Sequence, residues 1–210
     1  MLYDKDIREP LFDFLEEAYG KLRIIEEKQV GKSRADMVMV LPGLLTGIEI
    51  KSDADSYVRL SRQVKDYDRF FDRNMVVAGS SHAAHVREHV PGWWGIITVE
   101  QNDREIDFYV LRQPQENPMM NWKRKLSLLW RPELAHIQEL TAMPRYKEKS
   151  KAFVIEKILA KVPGEQLSVL VSEELFERDY TRIEEVIRAY KIQNRPELKG
   201  WTGKRKRRRT

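Results

Sequence analysis

The 210-residue chain is 41% hydrophobic and 34% charged, enough apolar material for one sizeable domain under a densely ionic surface. The absence of cysteine excludes a disulfide framework and thiolate metal ligation, and the absence of an apolar run of about 20 residues excludes a transmembrane helix. The mixed-charge start Met1-Leu2-Tyr3-Asp4-Lys5-Asp6 has no apolar signal core, so a cytoplasmic protein is expected, and the net charge of +5 suits a polyanionic partner such as nucleic acid.

Residues 4–19 have the spacing of an amphipathic helix, with Ile7, Leu11, Phe14, Leu15 and Ala18 on one stripe, Asp4 or Asp6 as cap and Gly20 as stop. Pro10 interrupts the pattern and suggests that the main helix begins at residue 9 or 10. Three short strands are predicted next, at 22–27, 35–41 and 44–51, separated by turns at Gly31-Lys32-Ser33 and Pro42-Gly43, which makes an antiparallel meander. A helix over 56–72 follows, with Asp53 and Asp55 as candidate caps. The wholly apolar Met75-Val76-Val77-Ala78 reads as a strand buried on both faces. A short helix is expected at 81–89 and strands at 94–99 and 106–111.

Composition then shifts. Residues 113–120 read as a linker, and 121–192 as a helical region with helices near 122–130, 132–140, 149–161, 165–178 and 181–190. Residues 193–210 form a basic tail in which the last seven residues carry six positive charges; without them the chain is close to neutral. Such a tail either holds phosphates through counterion release or serves only as a solvated terminus. The expected organisation is an α/β domain at 1–112, the linker, the helical region and the tail.

The chemistry concentrates in the meander. Asp36 lies on the second strand, and Glu49-Ile50-Lys51 closes the third. On a strand, positions two apart share a side, so Glu49 and Lys51 project together while Ile50 points to the opposite layer. A turn between the strands can bring Asp36 beside Glu49. Two adjacent carboxylates repel unless a cation lies between them, which makes an oxygen site for Mg²⁺, with Mn²⁺ able to substitute and the Ile50 carbonyl as a further ligand. A metal polarises a phosphate and lowers the pKa of bound water, and a nearby lysine orients that water or stabilises developing charge. Phosphodiester hydrolysis needs these parts. Gln63 and Tyr67, at i and i+4 on the following helix, face one side together.

An acid followed, after a turn, by Glu-x-Lys in an α-β-β-β-α-β order resembles the PD-(D/E)XK nuclease superfamily, with Ala35 in place of its proline. Gln63 and Tyr67 resemble the Gln-x-x-x-Tyr motif of its RecB-like branch. More narrowly, Arg34-Ala35-Asp36, Gly47-Ile48-Glu49-Ile50-Lys51-Ser52-Asp53-Ala54-Asp55-Ser56, Arg59-Leu60-Ser61-Arg62-Gln63-Val64-Lys65-Asp66-Tyr67 and Val90-Pro91-Gly92-Trp93-Trp94-Gly95-Ile96 resemble the sce7726 family, itself similar to MmcB-type DNA repair proteins. The resemblance implies a restriction-endonuclease-like core, a mixed sheet flanked by helices, and a Mg²⁺-dependent nuclease acting on DNA. Asp36 and Glu49 would be metal ligands, Lys51 the catalytic lysine, and Gln63 and Tyr67 the supporting pair. Such sites are often completed by an acid from the first helix, and Glu9 is the candidate, with Glu16, Glu17 and Glu27 as alternatives. Arg59 and Arg62, beside Gln63, and Lys147 and Lys149, in a loop between two amphipathic helices, are candidate phosphate contacts. Cutting of both strands by this fold implies a homodimer. The competing reading is a nuclease fold that grips nucleic acid or a protein partner without cutting it.

Overall fold

A computed structural model describes residues 2–53, 55–102 and 105–178. Among these residues six strands form one mixed sheet in the order β1-β2-β3-β4-β5-β6: β1 (Arg23–Val30), β2 (Ser33–Leu41), β3 (Leu44–Lys51), β4 (Arg73–Gly79), β5 (Gly95–Asn102) and β6 (Glu105–Arg112). The β1-β2-β3 meander is antiparallel, β3-β4 and β4-β5 are parallel, and β5-β6 is antiparallel. The turn glycines Gly31 and Gly43 adopt positive φ, +59° and +73°, which a side chain would oppose.

Helix α1 (Asp4–Tyr19) covers one face of the sheet. Its Ile7, Leu11 and Leu15 join Met37, Met39, Ile48, Ile50, Met75, Val77, Ile97 and Val99 in one apolar layer. The helix continues through Pro10 rather than starting there. Asp6 accepts the Tyr3 N–H at the helix start (3.1 Å). Asp53 and Asp55 do not cap the next helix. That helix opens with a 3₁₀ turn, Tyr57–Arg59, whose N-cap is Ser56, and continues as α2 (Leu60–Phe70). Asp55 instead accepts from the Ser52 N–H and hydroxyl, and Asp53 from the Leu2 N–H and the Ser81 hydroxyl. The stretch 81–89 divides into two single turns, α3 (Ser80–Ala83) and α4 (Val86–His89).

The opposite face of the sheet is covered by α2 and by α5 (Trp122–Leu126), α6 (Arg131–Leu140), α7 (Lys151–Lys161) and α8 (Gly164–Phe176). One apolar cluster runs from Ile25, Val38 and Val76 on the sheet through Tyr67 and Phe71 to Leu126, Leu134, Ile158 and Leu175. The helical region therefore packs on the sheet through a shared core. Residues 113–120 do not act as a free linker, because they are bonded along the sheet end. Gln115 N–H donates to Trp93 O, Asn117 N–H donates to Asp72 O, and the buried Asn117 amide caps the last carbonyls of α2, Asp68 O and Phe71 O. The helix expected at 181–190 and the basic tail lie outside the described residues.

A buried ion pair pins α5 to the sheet. The Lys125 side chain has no solvent exposure, and its Nζ donates to both Asp72 carboxylate oxygens at 2.7 Å, while Asp72 also accepts the Leu45 N–H. Burial pushes the Lys125 amine below its ordinary pKa and the Asp72 charge pulls it back. Removing one partner of such a pair strands the other charge, so Lys125→Ala should destabilise the fold by about 3 kcal/mol in chemical denaturation, and Lys125→Met by less than Lys125→Ala.

Candidate active site

The antiparallel register pairs Met37 with Ile48, and one step further along the same register Asp36 faces Glu49. At that step the two strands part. The Asp36 carboxylate replaces the next rung of the ladder, with Oδ2 accepting the Ile50 N–H at 2.9 Å. The Tyr67 hydroxyl from α2 fills the gap. It accepts the Asp36 N–H (3.2 Å) and donates to Glu49 Oε2 (2.6 Å). Tyr67 reaches that position because β3 carries Gly47 beneath it: a Cβ there would lie 2.3 Å from the Phe71 ring and 2.7 Å from Tyr67.

Glu49 and Lys51 share the α2 side of β3, as the strand period requires. Both are almost without solvent contact, 1% and 2% exposed. Lys51 Nζ is 2.6 Å from Glu49 Oε1 and 3.2 Å from Gln63 Oε1, and the Gln63 amide donates to the same Glu49 oxygen. Gln63 and Tyr67, one helical turn apart, thus close on Glu49 from α2. A carboxyl group this dry is tolerable because each oxygen meets a donor.

Asp36 is the electrostatically perturbed group. Its pKa is pushed up to about 7, first by burial and then by the neighbouring Glu49 charge, with the Ile50 N–H and Lys51 pulling against them. The Tyr67 phenol, held by burial and the same two carboxylates, stands well above its usual pKa and serves as a neutral donor.

Asp36, Glu49, Ile50, Lys51 and Gln63 form the floor of a cleft of about 470 Å³, with Tyr67 buried behind them. Arg59 and Arg62 line it from the α2 side; both are exposed and neither meets an acid among the described residues. Asp4 and Arg8 of α1, Glu27 of β1, and Lys32 and Arg34 of the β1–β2 hairpin complete it. Glu9 is exposed and does not line this cleft; α1 presents Asp4 and Arg8 there instead. Lys147 and Lys149 are exposed in the loop between α6 and α7 and are likewise not among the cleft residues. Arg8 was not visible as a site residue, because its role depends on how α1 lies across the sheet. Its Nε and Nη atoms reach Asp4 (2.8 Å), Glu26 (3.3 Å), Glu27 (2.6 Å) and the Asp36 carbonyl (3.3 Å).

The donor set suits a hard cation only in part. Asp36 Oδ1 takes no hydrogen bond, with Arg8 Nη2 4.0 Å away, and the mutual repulsion of Asp36 and Glu49 is what a divalent ion would relieve. Among the described residues no three carboxylates or imidazoles come together. Asp36 and Glu49 are thus the two carboxylates that could hold such an ion, and its remaining ligands would have to be waters or backbone oxygens.

The family model described as Bacteriophage P4 protein cII matches residues 1–195. Protein cII of Enterobacteria phage P4 is 28% identical over 101 residues, 48% of this chain and 38% of that protein, so the aligned stretch spans well under half of the relative's length. Among solved structures, Pyrococcus furiosus SfsA in complex with Ca²⁺ is 16% identical, with 53% of this chain and 62% of that one covered and a TM-score of 0.33.

The Asp36 shift carries a sign that can be checked. A carboxyl whose folded pKa is raised contributes stability that is present below its unfolded value, near 4, and lost as pH rises through about 7. Asp36→Asn removes that titration. The variant should match wild type in urea unfolding near pH 4 and exceed it above pH 7, by on the order of 1–2 kcal/mol.

Proposed function

We propose that this chain, which belongs to the Bacteriophage P4 protein cII family, is a divalent-metal-dependent nuclease of the PD-(D/E)XK kind, acting on DNA. What supports the reading is one juxtaposition: Asp36 and Glu49 face each other where β2 and β3 part, with Lys51 Nζ 2.6 Å from Glu49 at the floor of a cleft rimmed by arginines. The α1-β1-β2-β3-α2-β4 order around that juxtaposition agrees with a restriction-endonuclease-like core.

In this reading Asp36, Glu49 and the Ile50 carbonyl hold the ion, which supplies charge neutralisation for the phosphate and a more acidic water. Lys51 has three N–H donors, and Glu49 and Gln63 take two. The third is left for a water or a phosphoryl oxygen, where the ammonium orients the nucleophile and stabilises developing negative charge. Gln63 and Tyr67 act through Glu49 and Asp36 as positioning residues, fixing the carboxylates before substrate arrives. Arg59 and Arg62 hold backbone phosphates along the α2 side of the cleft, which positions the strand without reading its sequence.

The test is cleavage of linear, nicked, branched and single-stranded DNA with Mg²⁺ or Mn²⁺. Wild type should cut at least one substrate, and Lys51→Ala and Asp36→Ala should each lower the rate by about 100-fold or more while the protein stays folded. Absence of cutting on every substrate, with metal-independent DNA binding intact, would contradict the catalytic roles and leave a nuclease fold that grips without cutting.

A further inference from the structure

Glu27 stands apart within β1. It has φ +52°, a left-handed backbone that a non-glycine residue adopts unfavourably. The pairs on either side of it, Glu26 with Met37 and Lys28 with Ala35, are intact and in register, so no inserted residue forces the conformation. Its side chain meets two cations. One carboxylate oxygen takes Arg8 Nη2 at 2.6 Å, and the other takes Arg34 Nε. A single anion thus bridges two guanidinium groups, each on its own oxygen. That is also how the non-bridging oxygens of a phosphodiester are held, since carboxylate and phosphate present matching acceptor pairs to arginine.

We infer that Arg8 and Arg34 form an anion subsite for a backbone phosphate of the nucleic-acid strand, with the Glu27 carboxylate occupying it until the strand arrives. The inference rests on the nucleic-acid reading above and adds a second row of phosphate contacts, on the α1 and β1–β2 side of the cleft, to Arg59 and Arg62 on the α2 side. Three features fit the exchange. Arg8 remains anchored when Glu27 leaves, because its Nε is held by Asp4 and its Nη1 by the Asp36 carbonyl. Arg34 is 65% exposed, and Glu27 is the acid it meets among the described residues. The Arg34–Glu27 pair is open to water and contributes little, and an incoming phosphate replaces the Glu27 charge beside the less exposed Arg8 with one of the same sign. The subsite also adjoins the floor of the cleft, because Arg8 Nη2 lies 4.0 Å from Asp36 Oδ1. A phosphate bound there is a close neighbour of the one to be cut.

The experiment is fluorescence anisotropy of the full chain with labelled single-stranded and duplex oligonucleotides, in EDTA and across a salt series. Wild type is compared with Glu27→Gln, Arg34→Ala and the double variant. Glu27→Gln should bind several-fold more tightly near 0.1 M salt. Arg34→Ala should bind more weakly and flatten the slope of log K against log salt by about one. The gain from Glu27→Gln should disappear when Arg34 is also removed. Should Glu27→Gln fold poorly, Glu27→Gly tests the same point on a residue that accepts φ +52°. Binding by Glu27→Gln that equals or falls below wild type, or a gain that survives loss of Arg34, overturns the subsite. Because metal is withheld, a chain that binds in this pattern but never cuts removes only the nuclease reading. A chain that cuts with binding insensitive to Glu27 removes only this one, and a wild type that binds no oligonucleotide removes both.

Discussion

Glu49 is 1% exposed and carries its carboxyl group into a region with little access to water. A group so placed is stable only if its oxygens are met by donors or a cation. Lys51, Gln63 and Tyr67 meet them, and this requirement organises the surrounding structure. It fixes the rotation of α2 about its axis, since residues 63 and 67 must both face β3. It demands Gly47, because any side chain there would push Tyr67 and Phe71 off the sheet. It also explains why β2 and β3 separate at Asp36: the tyrosine hydroxyl that serves Glu49 occupies the space of the missing rung and takes the Asp36 N–H.

The two faces of the sheet support this arrangement differently. On the α1 face, Ile48 and Ile50 lie in a purely apolar layer that holds β3 rigid between its polar positions. On the α2 face the apolar cluster is continuous with α5–α8, and the buried Lys125–Asp72 pair locks α5 to the start of β3 through the Leu45 N–H. A second buried pair, Arg178 with Glu133, is bidentate, with the guanidinium over Trp130. The helical region is thus part of what keeps α2 pressed against the candidate site, and its loop lysines Lys147 and Lys149 stand away from the cleft.

Much of this was legible in the sequence because it depends on local period. The meander, the same-side projection of Glu49 and Lys51, and the shared face of Gln63 and Tyr67 follow from the strand and helix repeats alone. Asp36 opposite Glu49 followed once the turn at Pro42-Gly43 set the register. What escaped depends on tertiary placement. The contribution of α1 to the cleft is Asp4 and Arg8, not Glu9, because the helix lies with those two residues toward β1 and β2. The left-handed Glu27 has no sequence signature, and its ionic partners come from α1 and β2. Asp68 is similar: it is buried because Trp93, Trp94 and Asn74 converge on its Oδ1, and neither of those tryptophans is close to it in sequence. The strap at 113–120 reads as a linker by composition, yet Asn117 is buried against the end of α2.

Whether Asp36 and Glu49 share a cation, as proposed, is tested most directly by a crystal grown with Mn²⁺ and measured at the manganese absorption edge. One anomalous peak is expected between the two carboxylates and within reach of the Ile50 carbonyl, absent from crystals of Asp36→Asn. A wild-type crystal that shows no peak there, with Lys51 still holding Glu49 and Mn²⁺ bound elsewhere or not at all, would contradict it.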